Sequence, residues 1–172
     1  WTRNQNGKTK IYATLFNLTP VARQVVSLFS AIANAKEIEL INRIEGKFDI
    51  FADEDMIKTV LRNLISNAIK FTYTGGQVEL SLADSGDYWT IYVKDNGKGI
   101  PKDLQAHLLK SDEYITTYGT HNEKGSGLGL ILCRDFIRMN KGKLHFCSQE
   151  GIGTTFYFTI PKASSSAEAV SR

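Results

Sequence analysis

The chain has 172 residues, 42% of them hydrophobic, enough to enclose one core. Its 21 basic and 18 acidic side chains leave a net charge of +3, too balanced for the basic surface that a nucleic-acid binder presents. The two cysteines, Cys133 and Cys147, lack zinc-ligand spacing and read as ordinary small residues of a reducing compartment, and no apolar run reaches the roughly 18 residues that cross a bilayer.

The opening stretch WTRNQNGKTK begins without Met and reads as part of something longer. KIYATLFNL follows as a strand or edge segment. TPVARQVVSLFSAIANAKE then predicts a helix, with Thr19 as N-cap and Pro20 in the first turn. IELINRI and FDIFA are two short strands around the turn-like EGK. DEDMIKTVLRNLISNAIKFT predicts a long helix with acidic residues in its first turn. QVELSLAD and YWTIYVKD flank SGD and predict a hairpin. After DNGKGIP, residues 108–126 have weak periodicity. GLGLILCRDFIRMNKG predicts a helix closed by Lys141 and Gly142. KLHFCSQ and TTFYFTIP surround EGIG as a second hairpin, where His145 is expected to pair across the strands. The tail ASSSAEAVSR is small and polar, and disorder is expected of it. There is no internal repeat. Helices with hairpins indicate an α/β (α+β) two-layer sandwich, a mixed sheet covered on one face.

Three local patterns carry chemistry. In WTIYVKD, Trp89, Ile91 and Val93 alternate with Thr90, Tyr92 and Lys94, so Asp95 falls on the apolar face. Gly97 and Gly99 follow at once. On the second long helix, at 100° per residue from Asn63, the apolar residues Ile57, Val60, Leu61, Leu64, Ile65, Ala68 and Ile69 spread from about 60° to 240°. Asn63, Asn67 and Lys70 lie within about 40° of zero, on the opposite side. That stripe fits a solvated face. It also fits a ligand face, because an Asn carbonyl oxygen is a hard donor suited to Mg²⁺ and a Lys one turn away meets phosphate charge. In EKGSGLGL, Gly125, Gly127 and Gly129 precede or open a helix, where backbone N–H groups favour an anion. The spacing is neither that of dinucleotide-binding folds nor that of a P-loop, and the protein-kinase motifs are missing.

Taken together and in order, LRNLISNAIKFT, DNGKGI and GSGLGL resemble the N box and the two glycine boxes of sensor histidine kinases, ATP-binding domains of the GHKL superfamily. The resemblance runs from about Leu15 to Lys162. It implies an end of the dimerisation hairpin at residues 1–9, a catalytic ATP-binding domain at 10–162 and a tail at 163–172. It implies the two-layer sandwich already inferred. It implies ATP and Mg²⁺ as ligands, with Asp95 accepting from the adenine amine and Gly97 and Gly99 turning the backbone beside the base. Thr154 would support the base through water. Asn67 would hold Mg²⁺, Asn63 and Lys70 would contact phosphates, and Phe71 would lie beside the nucleotide. Gly125, Gly127 and Gly129 would hinge a lid over residues 108–126, with His121 and Lys124 as weaker candidates for the γ-phosphate. Asn67 and Lys70 are the residues expected to act in phosphoryl transfer.

The resemblance departs at one point. His107, His121 and His145 all lie inside the ATP-binding portion, so the phosphoacceptor histidine is expected on a hairpin outside this chain. The segment HLLKSDEYITTYGT also replaces the phenylalanine-rich lid of many members. The implied partners are that dimerisation and phosphoacceptor hairpin and a downstream response regulator. The implied parent is a homodimer, anchored to a membrane or not, with this domain cytoplasmic. A DNA-repair or topoisomerase-type ATPase, a serine kinase of the same superfamily, and a nucleotide-binding interaction module are the alternatives.

Overall fold

The computed structural model describes residues 9–109 and 128–163. The expectations resting on residues 1–8 and 164–172, and on most of the 108–126 segment, lie outside them. Elements follow in the order β1 (Thr14–Asn17), α1 (Leu18–Ala35), β2 (Glu39–Asn42), β3 (Asp49–Ala52), α2 (Glu54–Phe71), β4 (Gln77–Ser85), β5 (Tyr88–Asp95), α3 (Lys102–Gln105), α4 (Leu128–Met139), β6 (Leu144–Gln149) and β7 (Gly153–Pro161).

One five-stranded sheet has the order β2-β4-β5-β7-β6. β2 runs parallel to β4, and the other pairs are antiparallel. β1 and β3 form a separate two-stranded ribbon. Both hairpins expected from the sequence, β4–β5 and β6–β7, are present. Helices α1, α2 and α4 cover one face of the large sheet, in the expected two-layer sandwich. Leu80, Ile91, Phe158 and Ile160 from the strands meet Ile57, Leu61, Leu64 and Ile65 of α2, all fully buried. The other face carries a standing row of rings. Tyr92 stacks on Tyr157 at 5.6 Å, and His145 on Tyr157 at 5.2 Å. His145 and Tyr157 are cross-strand partners, as expected of that histidine.

One helix end differs from expectation, and one is as expected. The N-cap of α1 is Asn17, not Thr19. The Asn17 carboxamide accepts from Thr19 N at 3.2 Å and also from Phe48 N at 3.0 Å. It therefore caps the helix and pins the start of β3 at the same time, while Thr19 is buried in the first turn. At the end of α4, Lys141 and Gly142 close the helix as expected, Lys141 taking the left-handed conformation at φ 63°. The amide of Lys141 donates to Arg138 O and that of Gly142 to Ile137 O, which closes a Schellman motif. Gly142 is required for another reason: a Cβ there would come 1.8 Å from Thr159 O. The short helix α3 has no counterpart in the periodicity.

The N-terminus of α2 is held from three directions. Asp53 is its N-cap, accepting from Met56 N at 3.2 Å and from Tyr12 N at 2.9 Å. Its own amide donates to Asn140 Oδ1 at 2.7 Å, which ties the end of α4 to the start of α2. At the far end of α2, Lys36 Nζ donates to Ile69 O and Lys70 O, both at 3.0 Å. These bonds satisfy last-turn carbonyls that the helix leaves without partners. The helix is thus a fixed rod on which side-chain positions are set at both ends.

Candidate functional site

The two faces of α2 fall as the 100° step predicts. Ile57, Val60, Leu61, Leu64, Ile65, Ala68 and Ile69 are all buried. Asn63, Asn67, Lys70 and Phe71 are half-buried. Asn63 lies under the start of α4 and Phe71 against the glycine box after β5. A Cβ at Gly129 would come 3.3 Å from Asn63 Oδ1, so the second residue of α4 sits directly over that amide. Cys133, one turn further along α4, is buried beside Asn63, and burial pushes its thiol up to about 12. Among the described residues the Asn67 carboxamide makes no hydrogen bond. Lys70 Nζ lies 5.1 Å and Lys98 Nζ 5.3 Å from the centre of the Phe71 ring, so two cations converge on one aromatic.

Asp95 is 7% exposed, at the end of β5 on the helix-covered face. Its Oδ1 accepts from Gly97 N at 2.9 Å and from Thr154 N at 3.2 Å. Among the described residues Oδ2 accepts from none. Burial pushes the carboxyl up from 3.8 to about 6, against the opposite pull of the two amides. The free oxygen is not among the buried unpartnered atoms, so it stands open to an incoming donor or water.

The glycines are required by contact. A Cβ on Gly97 would come 2.1 Å from Phe71 O, whose carbonyl accepts from Lys98 N at 3.0 Å. Gly99 has φ +69°, and a Cβ there would come 2.1 Å from Gln149 O. The DNGKG loop is therefore pressed between the end of α2 and the β6–β7 turn. Gly129 faces Asn63, while Phe71, Asp95, Gly97 and Thr154 are joined by direct contacts, Gly99 lies in the same loop, and Asn67 and Lys70 share the α2 face of Asn63. Gly125, Gly127, His121 and Lys124 lie outside the described residues.

Sequence reasoning missed several supports. Ser148 Oγ accepts from Ile100 N at 2.9 Å and pairs with Thr154 Oγ1 at 2.8 Å. Gln105 Nε2, from α3, donates to Ile100 O at 2.7 Å and to Ser148 O at 3.2 Å. Asn96 Oδ1 accepts from Gln77 N at 2.8 Å and holds the loop to β4. The signal for Ser148 was present: it follows Leu144 and Phe146 in the apolar register of β6, a polar residue on the core side, as Asp95 is in β5.

A two-layer sandwich with a polar helix stripe, a glycine-pressed loop and an inward carboxylate defines a class of nucleotide-binding domain, and the comparisons agree. Residues 52–164 match the family of histidine kinase-, DNA gyrase B-, and HSP90-like ATPases. The adaptive-response sensory kinase SasA of Crocosphaera subtropica is 30% identical over 161 residues, covering 92% of this chain and 42% of that protein. The non-motile and phage-resistance protein of Caulobacter vibrioides is 36% identical over 159 residues, covering 90% of this chain and 19% of that protein. Among solved structures, the nucleotide-free catalytic domain of histidine kinase ThkA superposes with a TM-score of 0.74 at 31% identity, covering 88% of this chain and 96% of that one. ThkA in complex with the response regulator protein TrrA gives a TM-score of 0.72 at 28% identity, covering 90% of this chain and 43% of that one. The chain belongs to the histidine kinase-, DNA gyrase B-, and HSP90-like ATPase family, and within it to the ATP-binding catalytic domains of histidine kinases. It spans less than half the length of the curated relatives named here. Among the described residues no helix is long and apolar enough to cross a membrane.

Proposed function

We propose that this chain binds Mg²⁺–ATP in the groove along the half-buried stripe of α2, and that its parent transfers the γ-phosphoryl group to a histidine on a dimerisation hairpin. The observation that carries the reading is Asp95, a core-side carboxylate with one oxygen satisfied by backbone amides and the other left for a donor. The adenine amine is such a donor. Thr154 lies beside it on the neighbouring strand, and Phe71 with Gly97 and Gly99 walls the base.

The phosphates extend along α2. Lys70 meets their charge, with Asn63 further along, and Gly125, Gly127 and Gly129 are the glycines proposed to face the phosphates. Among the described residues no three His, Cys, Asp or Glu side chains cluster as a metal cage. A single Asn oxygen fits Mg²⁺, which keeps water and takes one or two protein ligands plus phosphate oxygens. Asn67, whose carboxamide makes no bond among the described residues, is the ligand. When bound, the metal supplies charge neutralisation on the phosphate oxygens. In the transfer, an imidazole nitrogen bonds to the γ-phosphorus as the bond to the β–γ bridging oxygen breaks. The ring gives up its proton, and the enzyme contributes alignment and charge rather than covalent chemistry.

The acceptor hairpin and a response regulator are the proposed partners, and the cytoplasm is the proposed site of action. His107 and His145 are exposed, and His145 is stacked on Tyr157 rather than aimed at the groove. The test is incubation of the chain with γ-labelled ATP, with and without the parent's hairpin, followed by acid treatment. Acid-labile label on the hairpin is expected. Acid-stable label on Ser or Thr of the partner, or acid-labile label on this chain alone, would overturn the assignment.

A further inference from the structure

Asp95, Thr154 and Ser148 form one polar row across β5, β7 and β6, at the ends of strands whose shared face is otherwise apolar. The hydroxyl at the end of that row has three neighbours. Ile100 N donates to Ser148 Oγ at 2.9 Å, the Gly153 carbonyl lies 3.2 Å away, and Thr154 Oγ1 lies 2.8 Å away. A serine hydroxyl has one proton and two lone pairs. An amide can only donate and a carbonyl can only accept. Giving the Ser148 proton to Gly153 O and one lone pair to the Ile100 amide is the arrangement that satisfies all three neighbours at once. The remaining lone pair is left for the Thr154 proton. Gln105 holds the Ser148 and Ile100 carbonyls from α3, so this geometry is braced from behind.

We propose that Ser148 is a specificity-determining positioning residue, which fixes the direction of the Thr154 hydroxyl so that it offers only lone pairs to the nucleotide. This rests on the reading of Asp95 and Thr154 as the groups that face the base. The Asp95 carboxylate is also an acceptor. Two acceptors then converge on the same edge of the purine. An exocyclic amine has two N–H donors and satisfies both, directly or through a water. A carbonyl at that position presents lone pairs to lone pairs. Without Ser148, the Thr154 proton is free to swing toward the base, and the site tolerates the carbonyl better. Discrimination between adenine and a 6-oxopurine thus depends on a residue that does not touch the base.

The experiment compares binding of non-hydrolysable adenosine and inosine triphosphate analogues to the wild-type chain, Ser148→Ala, Ser148→Thr, Thr154→Val and the Ser148→Ala/Thr154→Val double variant. The readout is the ratio of the two affinities, which a loss of folded fraction alone does not move; melting curves record stability separately. Ser148→Ala is expected to cut the adenosine preference roughly 3- to 10-fold, the size of one neutral hydrogen bond. Ser148→Thr, which retains the hydroxyl, is expected to keep it. On the Thr154→Val background, Ser148→Ala is expected to add nothing, because its effect runs through the Thr154 hydroxyl. An unchanged ratio in Ser148→Ala, or the same loss with Val at 154, would overturn the proposal. A wild-type chain that binds neither analogue, or holds both equally, would defeat the reading of the site itself.

Discussion

The amide of Thr154 donates to Asp95 Oδ1 at 3.2 Å, between two residues that face each other across β7 and β5. The ladder partner of the carboxylate thus occupies one of its oxygens, and among the described residues the other accepts from none. Asp95→Asn keeps the shape and removes the charge. Losing a charged acceptor inside the pocket is expected to weaken ATP binding by about 1–3 kcal/mol, roughly 5- to 150-fold. Calorimetry with a non-hydrolysable ATP analogue measures it. An affinity within twofold of wild type would remove Asp95 from the base-reading role.

The raised pKa of Asp95 predicts opposite pH trends for stability and binding. The unfolded carboxyl ionises near 3.8 and the folded one near 6. Between those values the folded chain keeps a proton that the unfolded chain has lost. The contribution of this group to stability is therefore complete below pH 3.8 and is lost as pH rises through 6. The loss is on the order of 2–3 kcal/mol, from about two units at 1.36 kcal/mol each. Urea denaturation of wild type and Asp95→Asn between pH 4 and 7 isolates it, because the other titrating groups are common to both. The stability difference is expected to move in favour of Asn as pH rises, and parallel profiles would refute the buried titration. Binding runs the other way. Affinity for the analogue is expected to fall as pH drops below 6 in the wild type and to stay flat in Asp95→Asn.

Asn67 gives a metal-dependent prediction. Asn67→Ala is expected to weaken analogue binding when Mg²⁺ is present and to change it little in EDTA. The cost in the helix itself is small, because Ala is the better helix former, so the melting temperature of the nucleotide-free chain should hold or rise. Equal losses of affinity with and without the metal would show that the carboxamide touches the nucleotide rather than the ion.

Gly97→Ala tests the pressed loop. The added methyl would meet a backbone carbonyl, Phe71 O, at 2.1 Å, where no flexible side-chain end can give way. The loop or the end of α2 must shift, at about 1–3 kcal/mol of stability. Since Phe71 and Asp95 bracket the contact, nucleotide affinity should fall with it. Gly86, whose Cβ would meet nothing within 4 Å but whose φ is +78°, supplies a control. Gly86→Asn, a residue that tolerates the left-handed region, is expected to leave affinity unchanged. Thermal melts and calorimetry on both variants separate the two effects.

Much of this was legible because it is written in local periods. The two faces of α2 follow from a step of 100° per residue, and the inward aim of Asp95 follows from alternation along β5. The turn residues announced both hairpins. The one capping departure is decided at a distance. Asn17 outranks Thr19 as N-cap because Phe48 N, 31 residues away, needs the same carboxamide.

The sequence by itself determined which segments form helices and strands, which faces they bury, and which polar residues stand on the wrong side of an apolar pattern. Only the tertiary structure decided the partners. IELINRI and FDIFA look alike as strands, yet β2 joins β4 in the large sheet and β3 joins β1 in a separate ribbon. The roles of Ser148 and Gln105 likewise appear only when β6, α3 and the glycine loop are brought together. The reason is physical. Periodicity is imposed by the covalent geometry of neighbouring residues, so it is readable along the chain. Strand partners, and the direction in which a hydroxyl gives its proton, depend on which donors and acceptors the whole fold delivers to one place.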